Sequence, residues 1–136
     1  MMLSKNRLNA LLALLFSCFI GISAQGNSLT IEDFTIVPGE EKTVEINLTN
    51  EDAISSLQFD IVLPEGLEMI EESVEKVSAR ITKTSHNLSV YNRGDFFRVT
   101  IFSNAVDIKK SGIKGNEGAI LTFTVQAYKN FKSGNI

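Results

Sequence analysis

The chain has 136 residues, of which 13 are lysine or arginine and 16 are aspartate or glutamate, so its formal net charge is −3. The acidic balance excludes a basic nucleic-acid-binding surface, and a single cysteine excludes a disulfide framework. This length is enough for one hydrophobic core and too short for two domains. Stability must therefore come from the packing of one core.

The first two dozen residues have the pattern of a secretory signal peptide. Lys5 and Arg7 precede an apolar run over residues 8–22, and Ala24 is a small residue just before a cleavage point. We predict that residues 1–24 are a signal peptide and that residues 25–136 form the mature domain, secreted or held at the surface of a bacterial cell. Cleavage leaves 11 basic and 16 acidic side chains, a formal charge of −5.

Two other interpretations of this segment are weaker. A membrane anchor is disfavoured because the apolar run is shorter than the roughly 20 residues that a spanning helix needs, so no membrane span is expected after signal removal. Lipid attachment at Cys18 is disfavoured by the bulky Phe16 and Phe19 near it.

The first elements of the mature chain alternate apolar and polar residues, as strands do. Residues 28–36 are predicted as a strand with a bend near Glu32 and Asp33. Pro38 and Gly39 then make a turn. Residues 42–49 form a strand whose inward side chains are Val44, Ile46 and Leu48.

The clearest strand follows, over residues 55–63. Leu57, Phe59, Ile61 and Leu63 recur at every second position and face inward, whereas Gln58, Asp60 and Val62 face outward. Residues 64–66 (Pro-Glu-Gly) end it in a turn. The next stretch, residues 68–85, has apolar spacings of three and four that are typical of a helix, yet its serines and valines are poor helix formers. An irregular strand and a short helical turn both remain open there.

A hairpin and a final strand complete the pattern. Residues 86–91 and 96–103 are predicted to pair through a tight turn at residues 92–95. Residues 107–118 form a loop that is mobile unless something pins it, and residues 119–128 return to strand. Six or seven short strands without a long helix predict an all-β fold, an antiparallel β-sandwich of two packed sheets.

The sequence offers few groups for chemistry. His86 is predicted as a surface or capping side chain, and Ser85 beside it makes no triad, because triads are spatial and no third partner is indicated. The paired acids at 40–41, 51–52 and 71–72 are more typical of solvated surface than of a glycosidase cleft. Asn50, Glu51 and Asp52 could offer oxygens to calcium, but the spacing of a dedicated calcium loop is missing. We therefore expect no catalytic site, no metal and no cofactor.

Three segments together resemble the cohesin-like domains of secreted bacterial proteins, which share a jelly-roll group with cellulose-binding modules. They are residues 57–68 (LQFDIVLPEGLE), 97–104 (FRVTIFSN) and 115–121 (GNEGAIL). Residues 28–50 are also similar to the version of this domain that is common in Bacteroidetes. The resemblance implies a nine-stranded sandwich with jelly-roll topology and a further strand after Gly134, so the closing strand is predicted to be missing and the domain to be truncated at its C-terminus.

The resemblance also implies a function, that of a non-catalytic module that binds a dockerin-like protein in an extracellular assembly linked to polysaccharide degradation. In cohesins the polar residues just before and just after the position that matches Leu57 contact the dockerin. These positions hold Ser56 and Gln58 here, and an amide replaces the carboxylate that cohesins usually have there. A carbohydrate-binding module of the same fold and a structural spacer of a larger surface protein are the alternatives. The predicted binding face comprises Ser56, Gln58, Asp60, Tyr91, Phe96, Arg98 and Phe102.

Overall fold

The computed structural model describes residues 26–132, 134 and 136, and within them the fold is an all-β sandwich of two antiparallel sheets. The predicted signal peptide and Cys18 lie outside the described residues. The seven strands of the described part are β1 Ser28–Thr30, β2 Glu41–Thr49, β3 Ser56–Ile61, β4 Leu67–Lys76, β5 His86–Asn92, β6 Phe97–Ser103 and β7 Ala119–Ala127. One 3₁₀ turn, Ile108–Lys110, lies between β6 and β7.

One sheet has the order β1-β2-β7-β4 and the other β3-β6-β5. The chain passes from one sheet to the other between β2 and β3, between β3 and β4, between β4 and β5, and between β6 and β7. The antiparallel sandwich predicted from the alternation is therefore confirmed, as is the jelly-roll topology that the resemblance implied. In the described ranges, no helix is long and apolar enough to cross a bilayer.

The core lies between the sheets. Val44, Ile46 and Leu48 of β2 are buried, as predicted, and Val99 and Ile101 of β6 are buried as well. The central strand β7 is buried most completely, because it has neighbours on both sides in its sheet and packs against the opposite sheet. Its inward residues are Leu121, Phe123, Val125 and Ala127.

The opening strand is shorter than predicted. Only Ser28–Thr30 pairs with β2, and the expected strand over residues 31–36 is wrong. The pairing stops where β2 has a bulge between Ile46 and Asn47, which shifts the register of the sheet. Ile31, Phe34 and Ile36 still pack against the core from an irregular segment, and this explains why the sequence alternates there without forming a strand.

The ambiguous stretch after Gly66 is a strand followed by turns. Strand β4 covers residues 67–76 and has a register irregularity on β7 between Ile70 and Glu75. Ser73 holds this irregularity, since its hydroxyl donates to the Ile70 carbonyl and accepts from the Thr124 amide. The inward positions change from odd residues such as Met69 to even ones such as Val74, and this change produced the spacing that imitates a helix.

The predicted turns at Gly39, Gly66 and Gly94 are present, and all three glycines have positive φ. Gly66 has a second constraint, because a side-chain carbon built there would lie 3.1 Å from the Phe131 backbone, whereas one at Gly94 would meet nothing within 4 Å. Glycine is therefore required at Gly66 by both conformation and space.

The loop of residues 107–118 is pinned by a buried arginine. Arg80 is only 5 % exposed, and its guanidinium donates to five acceptors. These are the carbonyls of Leu48, Lys114 (2.7 Å), Gly115 (3.0 Å) and Gly118 (3.0 Å) and the Asn50 side-chain oxygen (2.6 Å). Arg80 thus ties the loop to the end of β2. Burial lowers the pKa of Arg80, and Glu117 opposes that shift.

His86 is buried at 1 % exposure, so its prediction as a surface side chain is wrong. Its Nε2 lies 3.1 Å from the Ser111 carbonyl and its Nδ1 lies 2.9 Å from the Ser85 hydroxyl. Because a carbonyl can only accept, Nε2 carries the proton in the neutral ring. Burial lowers the pKa of His86, while the Ser111 hydrogen bond raises it and the charge of Lys76 lowers it. His86 therefore joins the start of β5 to the 107–118 loop.

Candidate binding face

The outer face of the three-stranded sheet places nine side chains in a regular array. Strand β6 is central, with β3 on one side and β5 on the other, and all pairs are antiparallel. Alternation sends Val99 and Ile101 into the core and their neighbours outward. The register gives three rows across the sheet, namely Ser56–Phe102–Asn87, Gln58–Thr100–Ser89 and Asp60–Arg98–Tyr91.

An ion pair holds one end of this array. The Arg98 Nε donates to Asp60 Oδ1 and its Nη2 to Asp60 Oδ2, both at 2.8 Å, and the guanidinium carbon lies 5.2 Å from the centre of the Phe96 ring. The Arg98 hydrogen bond lowers the pKa of Asp60, and the same contact raises the pKa of Arg98. Two parallel hydrogen bonds and a stacked ring give Arg98 a defined orientation.

Two aromatic rings on this face are open to solvent. Tyr91 is 51 % exposed and Phe102 is 44 % exposed. They belong to the outermost rows, and Arg93 stacks on the Tyr91 ring with its guanidinium carbon 5.4 Å from the ring centre. Val62, which follows β3 on the outward side, is also exposed. Exposed rings on a rigid sheet are typical of surfaces that bind other molecules.

The structure brings the predicted site residues together. Ser56, Gln58, Asp60, Tyr91, Arg98 and Phe102 all belong to the array, and Phe96 borders it through its contact with Arg98. Sequence reasoning missed Asn87, Ser89 and Arg93 as members of the same surface. The hairpin register could have found the first two, because pairing β5 with β6 around residues 92–95 places them opposite outward residues of β6.

The two outer faces of the sandwich differ in charge. Strands β3, β5 and β6 carry only Asp60 and Arg98 as charged side chains, apart from the buried His86. Strands β2 and β4 carry exposed Glu41, Glu45, Glu68, Glu71, Glu72 and Glu75. Binding on the β3-β6-β5 face removes few charges from water, and desolvating unpaired charges is the main electrostatic cost of association. This is the face better suited to a large partner.

Of the residues suggested for calcium, Asn50 has its side chain engaged otherwise. Asn50 is buried, its side-chain oxygen accepts from the Arg80 guanidinium, and its amide donates to the Asp52 carbonyl at 2.8 Å. A calcium ion would need that oxygen, against which Arg80 already places a positive charge. Across the described positions, no three histidine, cysteine, aspartate or glutamate side chains converge as a metal would require.

His86 and Ser85 do not resemble a catalytic pair. The described contacts of the ring nitrogens are with a hydroxyl and a backbone carbonyl, and the ring is buried away from the solvent-exposed face. The Ser85 hydroxyl lies 3.2 Å from the Thr82 carbonyl. A nucleophile needs an open approach and a base oriented by a third group. This arrangement joins two segments of the chain.

Fold and face together define a class of protein: a two-sheet β-sandwich that presents one nearly neutral sheet surface. No protein-family model matches the sequence, and no curated protein matches it. Several solved structures do match, and all three described next are cohesins or a cohesin complex.

The chain is similar to a non-cellulosomal cohesin from the archaeon Archaeoglobus fulgidus, with 18 % identity and a TM-score of 0.60 over 79 % of this chain and 69 % of that one. It is similar to the seventh ScaB type I cohesin from Pseudobacteroides cellulosolvens, with 20 % identity and a TM-score of 0.64 over 80 % and 70 %. A type I cohesin–dockerin complex from Clostridium thermocellum gives 18 % identity and a TM-score of 0.63 over 81 % and 78 %. The chain therefore has a cohesin-like fold, as the resemblance of its three segments implied.

Proposed function

We propose that this chain is a non-catalytic, cohesin-type binding module that holds a dockerin-like helical pair on the outer face of β3-β6-β5. The observation that carries the proposal is the array itself, a sheet surface whose only charged strand residues besides the buried His86, namely Asp60 and Arg98, neutralise each other. The similarity to a cohesin from a cohesin–dockerin complex supports this choice of partner.

The array is suited to recognition because its central strand and its ion pair are already ordered before a partner binds. Backbone pairing on both sides sets the position of β6, and the bidentate contact with Asp60 orients Arg98. Ordering side chains in advance reduces the entropy lost on association. Gln58 and Thr100 lie at the centre, where both can donate and accept hydrogen bonds.

The signal-like residues 1–24 support a secreted or cell-surface location, and a link to polysaccharide degradation follows from the same choice of partner. Such a module would attach an extracellular protein to an assembly without performing chemistry.

The test compares one substitution on each outer face. Gln58→Arg places a long cation at the centre of the array, and Thr43→Arg places the same side chain on the exposed outer face of β2. Used as bait against the secreted proteins of the source organism, the wild-type chain should retain a protein that contains a dockerin-like helical pair. The Gln58 variant should bind it at least about tenfold more weakly, and the Thr43 variant should bind it normally. Equal binding by both variants, or no such protein in repeated trials, would contradict the proposal.

A carbohydrate-binding function is the second candidate, because two exposed rings lie on the same face. Retention on an insoluble polysaccharide that is lost in Tyr91→Ala or Phe96→Ala would favour it. Tyr91 of β5 lies opposite Arg98, which is four positions from Phe102 along β6, about 14 Å, and no third exposed ring lies between them in the array. A spacer role predicts neither kind of binding.

A further inference from the structure

We infer that the partner segment is a short helix bearing a carboxylate at one end, and that Arg93, stacked on Tyr91, receives this carboxylate. The inference rests on the proposed function and adds the chemistry of the partner. Arg93 is exposed at the turn between β5 and β6, beside the row that contains Asp60 and Arg98.

Arg93 differs from Arg98 in its partners. The only side-chain contact described for Arg93 is the one with the Tyr91 ring, and the ion pair of this region joins Arg98 to Asp60. Among the described residues no protein acceptor takes the Arg93 guanidinium hydrogens, so they face water. Asp95 in the same turn is exposed and forms no ion pair with Arg93. The Tyr91 ring therefore holds the Arg93 guanidinium in place, and the N–H groups of that guanidinium remain accessible to a ligand.

A planar guanidinium with a free edge binds a carboxylate through two parallel hydrogen bonds. Within the described residues, Asp60 is paired with Arg98, whereas Arg93 has no acidic side chain bound to its guanidinium, although Asp95 lies in the same turn and Glu71 accepts a hydrogen bond from Asn92 at 3.0 Å. An incoming carboxylate that forms two parallel hydrogen bonds with Arg93 is therefore favoured there over an incoming lysine or arginine. The other sheet has the opposite preference because of its glutamates.

The size of the array sets the length of the partner segment. The Arg93 guanidinium lies against the Tyr91 ring, in the row of Arg98, and Phe102 is four positions from Arg98 along β6, which corresponds to about 14 Å. At 1.5 Å per residue, a helix of about nine residues spans this distance. An acidic residue near one end would reach Arg93, and an apolar residue near the other would cover the exposed Phe102 ring.

The experiment uses a displayed library of two-helix scaffolds in which the exposed positions of one nine-residue helical stretch are varied, selected on the full chain. Clones that bind the wild-type chain and fail on Gln58→Arg depend on the array. Most of these clones should carry aspartate or glutamate at one end. Arg93→Gln should weaken them by about tenfold. Lys129→Gln removes an equal charge beside Gly39, near the other sheet, and should leave binding within twofold.

The outcomes separate this inference from the proposed function. Array-dependent clones without acidic enrichment, or with binding unchanged in Arg93→Gln, would overturn the carboxylate inference while the binding face stands. A selection that yields no array-dependent clones would overturn both. Thermal unfolding of Arg93→Gln should match that of the wild type, since Arg93 is exposed and has no described hydrogen bond from its side chain.

Discussion

Removal of the Arg80 guanidinium should be the most damaging polar substitution in this domain. Arg80→Ala removes the arginine donor from four backbone carbonyls and the Asn50 oxygen, in a region where Arg80 itself is 5 % exposed, and of these the Gly118 carbonyl keeps a hydrogen bond from the Leu48 amide. An unsatisfied buried polar group costs about 1–3 kcal/mol. Water that enters the vacated space will satisfy part of this set, so we expect a loss of about 3–5 kcal/mol in the free energy of unfolding.

Chemical denaturation followed by circular dichroism measures that loss. A domain of this size loses about 4 °C in melting temperature per kcal/mol, so in thermal unfolding the melting temperature should fall by roughly 12–20 °C. Arg80→Lys keeps the charge but cannot donate in five directions, and it should recover less than half of the stability. Arg93→Ala is the matched control, because it removes an exposed arginine and should change stability by under about 0.5 kcal/mol.

Hydrogen exchange provides a second readout. The Ile113 amide donates to the Ile54 carbonyl at 2.7 Å and the Asn50 amide to the Asn116 carbonyl at 2.8 Å, so both report on the loop that Arg80 holds. Their exchange should accelerate in Arg80→Ala more than that of β6 amides. If Arg80→Ala unfolds within 1 kcal/mol of the wild type and these amides stay protected, the loop does not depend on Arg80 and our reasoning is wrong.

Three further predictions concern acid sensitivity, the ion pair and two turns. Because burial lowers the pKa of His86, the unfolded chain binds its proton first, so the free energy of unfolding should fall as the pH drops below about 6.5, and His86→Gln should flatten this dependence in urea titrations between pH 7.5 and 5. The Asp60 carboxyl should titrate below about 3.9 by NMR and shift upward in Arg98→Gln; an unchanged midpoint would exclude the pair in solution. Gly94→Ala should cost about 1 kcal/mol through its positive φ, and Gly66→Ala clearly more because space is also lacking; equal melting points would contradict this.

The alternation in the sequence was enough to predict the two-layer fold and most of the site. Leu57, Phe59 and Ile61 do point inward from β3, and Gln58 and Asp60 do point outward. A period of two needs only the local geometry of a strand, so it can be read without knowledge of the neighbours. The hairpin at residues 92–95 likewise follows from local turn chemistry and brings Tyr91 opposite Arg98.

The errors occurred where a distant contact decided the local structure. Residues 31–36 lack a strand partner, and the apolar pattern of these residues alone does not show whether a partner is present. Strand β4 changes its inward phase because Ser73 bonds to Thr124, which lies 51 positions away in the chain. His86 is buried because the loop that carries Ser111 folds over it.

By itself the sequence determined most of the strands, most of the turns and the apolar side of the clearest strands, because these depend on neighbours within a few positions. Only the tertiary structure decided the role of Arg80, the burial of His86 and the joining of three strands into one nearly neutral face. Those features depend on hydrogen bonds and strand register between segments separated by tens of residues, and a local pattern does not encode such distances.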